Sequence, residues 1–251
     1  MATKYDWKDA GEEWSEPWGN SEAQWHEAIL PRIRDCLPVE TILEIASGYG
    51  RWTHYLKDHC QNLWAVDRVP ECVEACRRRF DGDPRVHCEI NDGHSLSILP
   101  DDSVDFVFSF DSFVHIDREI VDAYLGEIGR ILKPGGKGFI HHSNFGAFAN
   151  SFRERLPRWI TKPLIKLNIL DWAHHRNPSM NAELFRDLCE QHGLHCVNQE
   201  LVNWRGQRLI DCLSLFVRSD SRQKPTRIIR NPNFMREASR IRLQAGLAKQ
   251  N

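Results

Sequence analysis

The chain has 251 residues, of which 41% are hydrophobic. This is enough for one well-filled core but too few for two full-sized domains, so we expect one domain with appendages. The 33 basic and 35 acidic residues give a formal net charge of -2 and are spread along the chain. No overall electrostatic field draws nucleic acid toward the protein, and we expect no nucleic-acid partner.

The segment Met1–Glu16 alternates in charge and has no apolar run of signal-peptide length. No later window approaches the roughly 18 apolar residues of a membrane-spanning helix, so we expect a cytoplasmic protein with no transmembrane segment. The eight cysteines contain no Cys-x-x-Cys pair, which predicts reduced, packed thiols. Cys72 and Cys76 share one helix face, but no second Cys/His pair completes a site, so we predict no metal.

Short apolar runs alternate with helical patterns from residue 41 to about 143. This alternation predicts a parallel sheet wound with crossover helices. The predicted strands are 41–46, 62–67, 85–90, 104–110 and 137–142, the predicted helices begin at 52, 71 and 120, and Lys133–Gly136 is predicted to be a turn. A further helix over 181–191 precedes two strands, 194–204 and 209–218. The short loop Arg205-Gly206-Gln207 between these strands permits only an antiparallel pair.

A glycine-rich turn follows the first strand, in the segment Leu43-Glu-Ile-Ala-Ser-Gly-Tyr-Gly-Arg-Trp52. Gly48 and Gly50 let a ligand approach the backbone closely, and the next helix directs its N-terminal amides at a polar ligand end. Asp67 ends the second strand, where a carboxylate accepts hydrogen bonds from both ribose hydroxyls. A nicotinamide-binding turn is the alternative, but it prefers a third glycine where this chain has Thr53.

The turn resembles the first motif of the S-adenosylmethionine-dependent methyltransferases, with Ala46 where that family usually has glycine. The resemblance implies an α/β, Rossmann-like class I methyltransferase fold, in which a seven-stranded, mostly parallel sheet carries an antiparallel terminal strand. It implies S-adenosyl-L-methionine as the cofactor, with Asp92 near the adenine amino group and the segment 108–117 near the reactive sulfur. The predicted cofactor-binding residues are Glu44, Ala46, Gly48, Gly50, Trp52, Asp67, Arg68, Asp92, Gly93 and Phe110.

Methyl transfer is an in-line displacement, so positioning the acceptor matters most, and an acceptor hydroxyl also gains from a nearby base. Histidine is the base best matched to neutral pH. The predicted catalytic residues are His115, His142 and Asp111, with hydrogen-bonded structural roles as the alternative. Strand alternation sends His141 and His142 to opposite sides of the sheet. The predicted substrate-binding residues are Trp14, Trp18, His141, Asn144 and Arg176.

The expected organisation is an aromatic N-terminal lid (1–38), the cofactor-binding core (39–143), a substrate-cap insertion (144–180), a helix and terminal hairpin (181–218) and a basic C-terminal tail (219–251) that ends in a helix. We predict that the tryptophans of this segment form a lid over the cofactor, or that they simply pack the leading segment onto the sheet. They are Trp7, Trp14, Trp18 and Trp25. The insertion is basic and amphipathic over 145–170, which suits a phosphorylated or lipid-linked sugar or a peripheral membrane contact. A solvated helical face is the alternative.

The segments 13–25 and 141–144 look like those of a bacterial methyltransferase subgroup associated with sugar and cell-surface glycan modification. We therefore predict O-methylation of a small-molecule or glycan hydroxyl. There are two alternatives. The protein is an N-methyltransferase of a small molecule, or it is a non-catalytic module that binds the cofactor or a partner. The sequence leaves the acceptor, the methylated atom and the oligomeric state open.

Overall fold

The computed structural model describes residues 10–149, 175–204, 206–219 and 224–248. Its strands are β1 (Val39–Ile45), β2 (Cys60–Asp67), β3 (Val86–Ile90), β4 (Val104–Phe113), β5 (Leu132–Ser143), β6 (Leu194–Val202), β7 (Asp211–Arg218) and β8 (Arg227–Asn231). Its α-helices are α1 (Ser21–Gln24), α2 (Leu30–Ile33), α3 (Thr53–Leu56), α4 (Pro70–Arg79), α5 (Arg118–Ile131), α6 (Ala182–Gln191) and α7 (Phe234–Ala248). Short 3-10 or π turns cover Glu12–Trp18, Trp25–Ile29, Arg34–Cys36, Lys57–His59 and Phe145–Phe148.

The described strands form one eight-stranded sheet in the order β3-β2-β1-β4-β5-β7-β6-β8. The chain comprises two compact units, of which the first contains Met1–Gly93, Val104–Phe106 and Arg236–Asn251, and the second contains His94–Ser103 and Val107–Met235. This is the expected Rossmann-like architecture, mostly parallel with an antiparallel hairpin.

In the first unit, β1, β2 and β3 pair in parallel, with Glu44 opposite Ala65 and Ala65 opposite Cys88. Helix α4 lies against these strands through a small apolar cluster of Ala65, Val73, Cys76, Phe80 and Cys88. Parallel pairing brings the carboxyl ends of β1 and β2 to one edge of the sheet. The predicted motif residues on these two strand ends therefore become neighbours.

In the second unit, β7 runs antiparallel to both β5 and β6, so the predicted hairpin is confirmed. Helix α5 buries Val121, Tyr124, Leu125, Ile128 and Ile131, which repeat at helical spacing along one face. Asn181 caps α6, because its side chain accepts a hydrogen bond from the amide of Leu184. Seven of the eight cysteines are buried and Cys36 is half-buried, in agreement with packed thiols.

The structure corrects two expectations. The segment predicted as a basic tail contributes β8, which pairs in parallel with β6 and makes the sheet eight-stranded rather than seven-stranded. The helix predicted at the end of this segment is α7, whose Phe234, Ala238 and Ile241 are buried. The predicted turn Lys133–Gly136 lies within the bounds of β5, and Gly135 there has a φ of 80°, a left-handed backbone that glycine adopts readily. Among the described residues, no helix is both long and apolar enough to span a bilayer.

Candidate functional site

The glycine-rich turn of the first unit is held by backbone hydrogen bonds to β2. The amides of Ala46 and Ser47 both donate to the carbonyl oxygen of Val66, at 2.8 and 3.1 Å. Ala46 has a φ of 61°, and Gly48 and Gly50 have φ values of 57° and 81°. The alanine therefore adopts the left-handed backbone that glycine would take more easily, and the departure from the family pattern leaves the turn intact.

The carboxylate of Asp67 is joined directly to this turn. Its Oδ2 accepts a hydrogen bond of 2.9 Å from the Gly48 amide, and its Oδ1 accepts one of 2.8 Å from the Val69 amide. Burial raises the pKa of Asp67, whereas these two amides act in the opposite direction. The structure thus brings together the two features on which the predicted cofactor site depends.

Glu44 supports the turn from inside the protein. Its side chain is buried, and Oε2 accepts a hydrogen bond of 2.5 Å from the hydroxyl of Thr53. Burial raises the pKa of Glu44 well above its usual value. Because Thr53 begins α3, this bond joins β1 to the helix on the far side of the turn.

Packing within the protein also requires glycine at position 50, in addition to the ligand approach predicted for it. A Cβ at this position would lie 2.5 Å from Cε2 of Phe80 and 3.1 Å from Sγ of Cys76. Both neighbours belong to the α4 region, so the turn and α4 are in direct contact here.

We expect Gly50→Ala to destabilise the protein, because the new methyl group overlaps the ring of Phe80. Gly82→Ala is the matched control, since Gly82 has a φ of 82° but nothing within 4 Å of its Cβ position. In both variants the alanine must adopt a left-handed backbone, which lowers the free energy of unfolding. In Gly50→Ala, overpacking against Phe80 should lower the free energy of unfolding by about 1–3 kcal/mol more. Urea denaturation measures the difference. Equal losses would show that Phe80 moves aside without cost.

The N-terminal segment packs beside the turn within the same unit. The guanidinium of Arg51 donates a buried hydrogen bond of 3.0 Å to the hydroxyl of Ser15 and stacks 4.3 Å from the ring of Trp52. Trp18 is fully buried, whereas Trp14 is 44% exposed. Trp25 is buried as well, so the described part of the predicted lid has two tryptophans in the interior and one at the surface. Trp7 lies outside the described residues.

The predicted adenine-side residues follow β3. The amide of Asn91 donates 3.1 Å to the carbonyl oxygen of Asp67, so the ends of β2 and β3 are held together. Gly93 has a φ of 93°, and a Cβ there would lie 2.6 Å from Cδ of Arg68. Arg68 thus lies across Gly93, and Asp92 is exposed beside them.

These residues fit an adenosyl ligand. Apart from the weakly polar thiol of Cys76, the buried hydroxyl of Ser47 has no hydrogen-bond partner among the described residues. Buried polar groups normally have partners, so this hydroxyl suits a ligand that brings one. Asp67 adds acceptor lone pairs, and the turn adds backbone close to the ligand position.

The second unit holds a charged cluster around His141, which is fully buried. Its Nδ1 lies 3.3 Å from Oδ1 of Asp111, and its Nε2 lies 3.3 Å from Oδ2 of Asp211. Arg176 donates to both carboxylate oxygens of Asp211, at 2.8 and 2.7 Å. Phe110 packs on the imidazole with ring centroids 4.6 Å apart. Four predicted residues therefore lie in one cluster, in which His141 and Arg176 contact Asp211, a residue that the sequence analysis did not single out.

His142 lies in a different environment, as strand alternation predicted. Its ring stacks 3.9 Å from that of Phe185, and its nitrogens are hydrogen-bonded to Ser143 O and Ser214 Oγ at 3.0 and 2.8 Å. Burial lowers the pKa of His142 to about 3. Because both nitrogens are engaged inside the protein, we do not retain His142 as a base candidate.

His115 is an exposed residue on the turn after β4. Its Nδ1 lies 2.9 Å from the carbonyl oxygen of His175, which can only accept a proton. This bond fixes the tautomer that carries hydrogen on Nδ1 and leaves the Nε2 lone pair as the proton acceptor. Although the residue is exposed, neighbouring groups displace part of the water around its ring, and this desolvation lowers the pKa of His115.

Asn144 acts as a structural connector. Its amide nitrogen donates 2.7 Å to Leu209 O, and its Oδ1 accepts 2.9 Å from the Ala182 amide. The predicted insertion begins here, but residues 150–174, including the basic side chains of its amphipathic stretch, lie outside the described part of the chain. The proposed contact of the insertion with a membrane or lipid-linked sugar therefore stays a prediction.

Residues 42–136 match the family model described as a methyltransferase domain. The chain is 28% identical over 158 residues to phosphoethanolamine N-methyltransferase 1 of Triticum aestivum, covering 62% of this chain and 31% of the relative. It is 27% identical over 100 residues to nodulation protein S of Rhizobium tropici, covering 39% of this chain and 41% of the relative. The matches thus span less than half of each curated relative.

The fold is similar to that of the N-methyltransferase NodS from Bradyrhizobium japonicum. The TM-score is 0.57 at 16% sequence identity, and the match covers 80% of this chain and 97% of that one. The comparisons therefore identify residues 42–136 as a class I methyltransferase domain of Rossmann-like fold, whose cofactor is S-adenosyl-L-methionine.

Proposed function

We propose that the protein transfers the methyl group of S-adenosylmethionine to a hydroxyl oxygen of a small-molecule or glycan acceptor. The observation that carries the choice of a hydroxyl is the placement of His115, whose Nδ1 bond to His175 O leaves Nε2 to accept a proton. A hydroxyl is a poor nucleophile until its proton begins to leave, so a positioned neutral imidazole is useful for oxygen and less so for a free amine.

In this proposal the residues around the glycine turn hold the cofactor. Asp67 accepts hydrogen bonds from the ribose hydroxyls, and the residues after β3, Asp92 and Gly93, contact the adenine. Ser47 and the turn backbone bind polar groups of the same ligand. When bound, the cofactor supplies a methyl group on a positively charged sulfur, which takes the electron pair of the broken carbon–sulfur bond.

His115 then has one chemical task. Its Nε2 takes the hydroxyl proton as the acceptor oxygen forms its bond to the methyl carbon. The lowered pKa of His115 keeps the imidazole neutral at pH 7, so it can accept a proton without a preceding ionisation. The charge of Arg176 opposes the resulting imidazolium, whereas the carboxylates of Asp111 and Asp211 favour it.

N-methylation is the second candidate. It is favoured by the names of two similar proteins, which are a phosphoethanolamine N-methyltransferase and the N-methyltransferase NodS. In that case the acceptor is an amine, and the base removes a proton from its ammonium form before the methyl group is transferred.

A single labelled experiment separates these possibilities. Calorimetry first measures binding of S-adenosylmethionine to the native chain. The cofactor with a 13C-labelled methyl group is then incubated with paired acceptors, such as glucose and glucosamine derivatives, and the product signal distinguishes an O-methyl from an N-methyl carbon. We expect binding and an O-methyl product. An N-methyl product would favour the second candidate, binding without any product would indicate a non-catalytic module, and absence of binding would reject the proposal.

A further inference from the structure

Four side chains of alternating charge, Arg176, Asp211, His141 and Asp111, form a row through the interior of the second unit, which we call the charge chain. It begins at Arg176 and Asp211, whose side chains are 6% and 0% exposed and which share two hydrogen bonds. Arg176 also lies 4.8 Å above the ring of Trp204. A buried ion pair gives up the hydration of both charges, so this pair is poorly explained as a device for stability alone.

The fully buried His141 continues the chain from Asp211 to Asp111. The approach of its Nε2 to Asp211 is a charge contact rather than a well-aligned hydrogen bond. At the other side of the ring, Nδ1 faces both the carboxylate and the backbone amide of Asp111, each at 3.3 Å. The amide can donate to Nδ1 when His141 is neutral, and the carboxylate can accept from it when His141 is protonated. Asp111 thus offers a partner to either state of the imidazole.

Each charged side chain in this row stabilises the charged form of its neighbour. Burial disfavours the His141 cation, yet Asp111 and Asp211 raise its pKa above the usual value. Burial also opposes ionisation of Asp211, and the adjacent Arg176 nevertheless holds the pKa of this carboxyl below its usual range. The neighbouring ring of His142 stays neutral, because burial lowers its pKa to about 3.

Asp111 is the more exposed end of the chain, with 19% of its side chain accessible. Its φ of 71° is a left-handed conformation that side-chain-bearing residues adopt at a cost. Such a conformation persists where the surrounding structure holds it, and here the contact of Asp111 with Nδ1 of His141 does so, through the amide or the carboxylate. The backbone and the buried chain together fix the direction of one carboxylate.

Building on the proposed methyltransferase function, we propose that Asp111 binds the acceptor and that His141, Asp211 and Arg176 are the positioning residues that hold it. A carboxylate offers only hydrogen-bond acceptors and a negative charge. The acceptor group at Asp111 is therefore a hydrogen-bond donor, a hydroxyl or an ammonium, and an anionic group at this place is rejected. The donor group of the ligand competes with His141 for the Asp111 carboxylate. Ligand binding should therefore change the NMR signals of the His141 imidazole.

The test uses NMR of the full chain with labelled histidine, in which the His141 imidazole is titrated. The probes are glucosamine, glucose and glucuronate, added at increasing millimolar concentration to the native chain. We expect glucosamine and glucose to shift the His141 signals, and glucosamine to bind about 10-fold more tightly than glucuronate because it adds a charge-assisted bond. Equal response to all three probes, or response to none, would overturn the proposal.

Two variants make the assignment specific. Asp111→Asn keeps the shape but removes the charge, so the preference for glucosamine should disappear. The double variant Arg176→Met/Asp211→Asn removes the buried ion pair as a unit and avoids an unpaired buried charge. We expect it to move the His141 titration to lower pH and to weaken glucosamine binding.

Circular dichroism confirms that both variants are folded. A preserved preference in Asp111→Asn, or an unchanged His141 titration in the double variant, would contradict the proposed chain. These outcomes are separate from the proposed function, which fails instead if the native chain does not bind S-adenosylmethionine in calorimetry.

Discussion

Asp67→Ala is expected to weaken binding of S-adenosylmethionine by roughly 100-fold or more. The alanine removes a carboxylate that we propose accepts two ribose hydroxyls, and each hydrogen bond to a charged group contributes about 1.5–3 kcal/mol. It also removes the acceptor of the Gly48 amide, so the turn loses the bond that joins it to β2. Calorimetry of the variant against the native chain measures the loss directly.

Two further variants distinguish a binding effect from loss of structure. Asp81→Ala removes an exposed carboxylate from the same unit and should leave affinity unchanged. Asp67→Asn keeps one oxygen for the Gly48 or Val69 amide and should bind with intermediate affinity. If thermal denaturation shows that Asp67→Ala is folded, and the variant still binds S-adenosylmethionine as tightly as the native chain does, the proposed ribose role of Asp67 is wrong.

The fold could be predicted wherever a local pattern determines the element. The buried run of β4 and the helical spacing in α5 are each visible over a single short window. Strand β8 was missed because Arg227–Asn231 is a short, largely exposed edge strand without alternation between apolar and polar residues. Its pairing with β6 depends on distant parts of the chain, which no local pattern records.

The two candidate clusters, one in each unit, differ in the same way. The turn and Asp67 follow directly from strand ends in one parallel sheet, so their proximity could be predicted from topology. The contact of Gly50 with Phe80 and the pairing of Arg176 with Asp211 depend on side-chain packing between separate elements. Asp211 gave one local signal, a charged residue beside the apolar pair Leu209-Ile210, but its partners could not be read from it.

His115→Gln is expected to lower kcat by about 10²–10⁴-fold, the usual range for loss of a positioned base. Glutamine is similar in size but cannot take up a proton. Affinity for S-adenosylmethionine should stay the same, because the proposed cofactor residues lie on other elements. His87→Gln, which changes a histidine on strand β3, is the matched control and should retain full activity.

The dependence of kcat on pH tests the same role of His115. Only neutral His115 accepts a proton, so kcat of the native chain should rise with pH through the pKa of His115 and then level off. Because desolvation lowers that pKa below 6.5, the plateau should begin on the acid side of neutrality. His115→Gln should lose the acid limb together with most of the rate. A native profile still rising above pH 7 would contradict His115 as the base and would point to a group whose pKa is raised, such as His141.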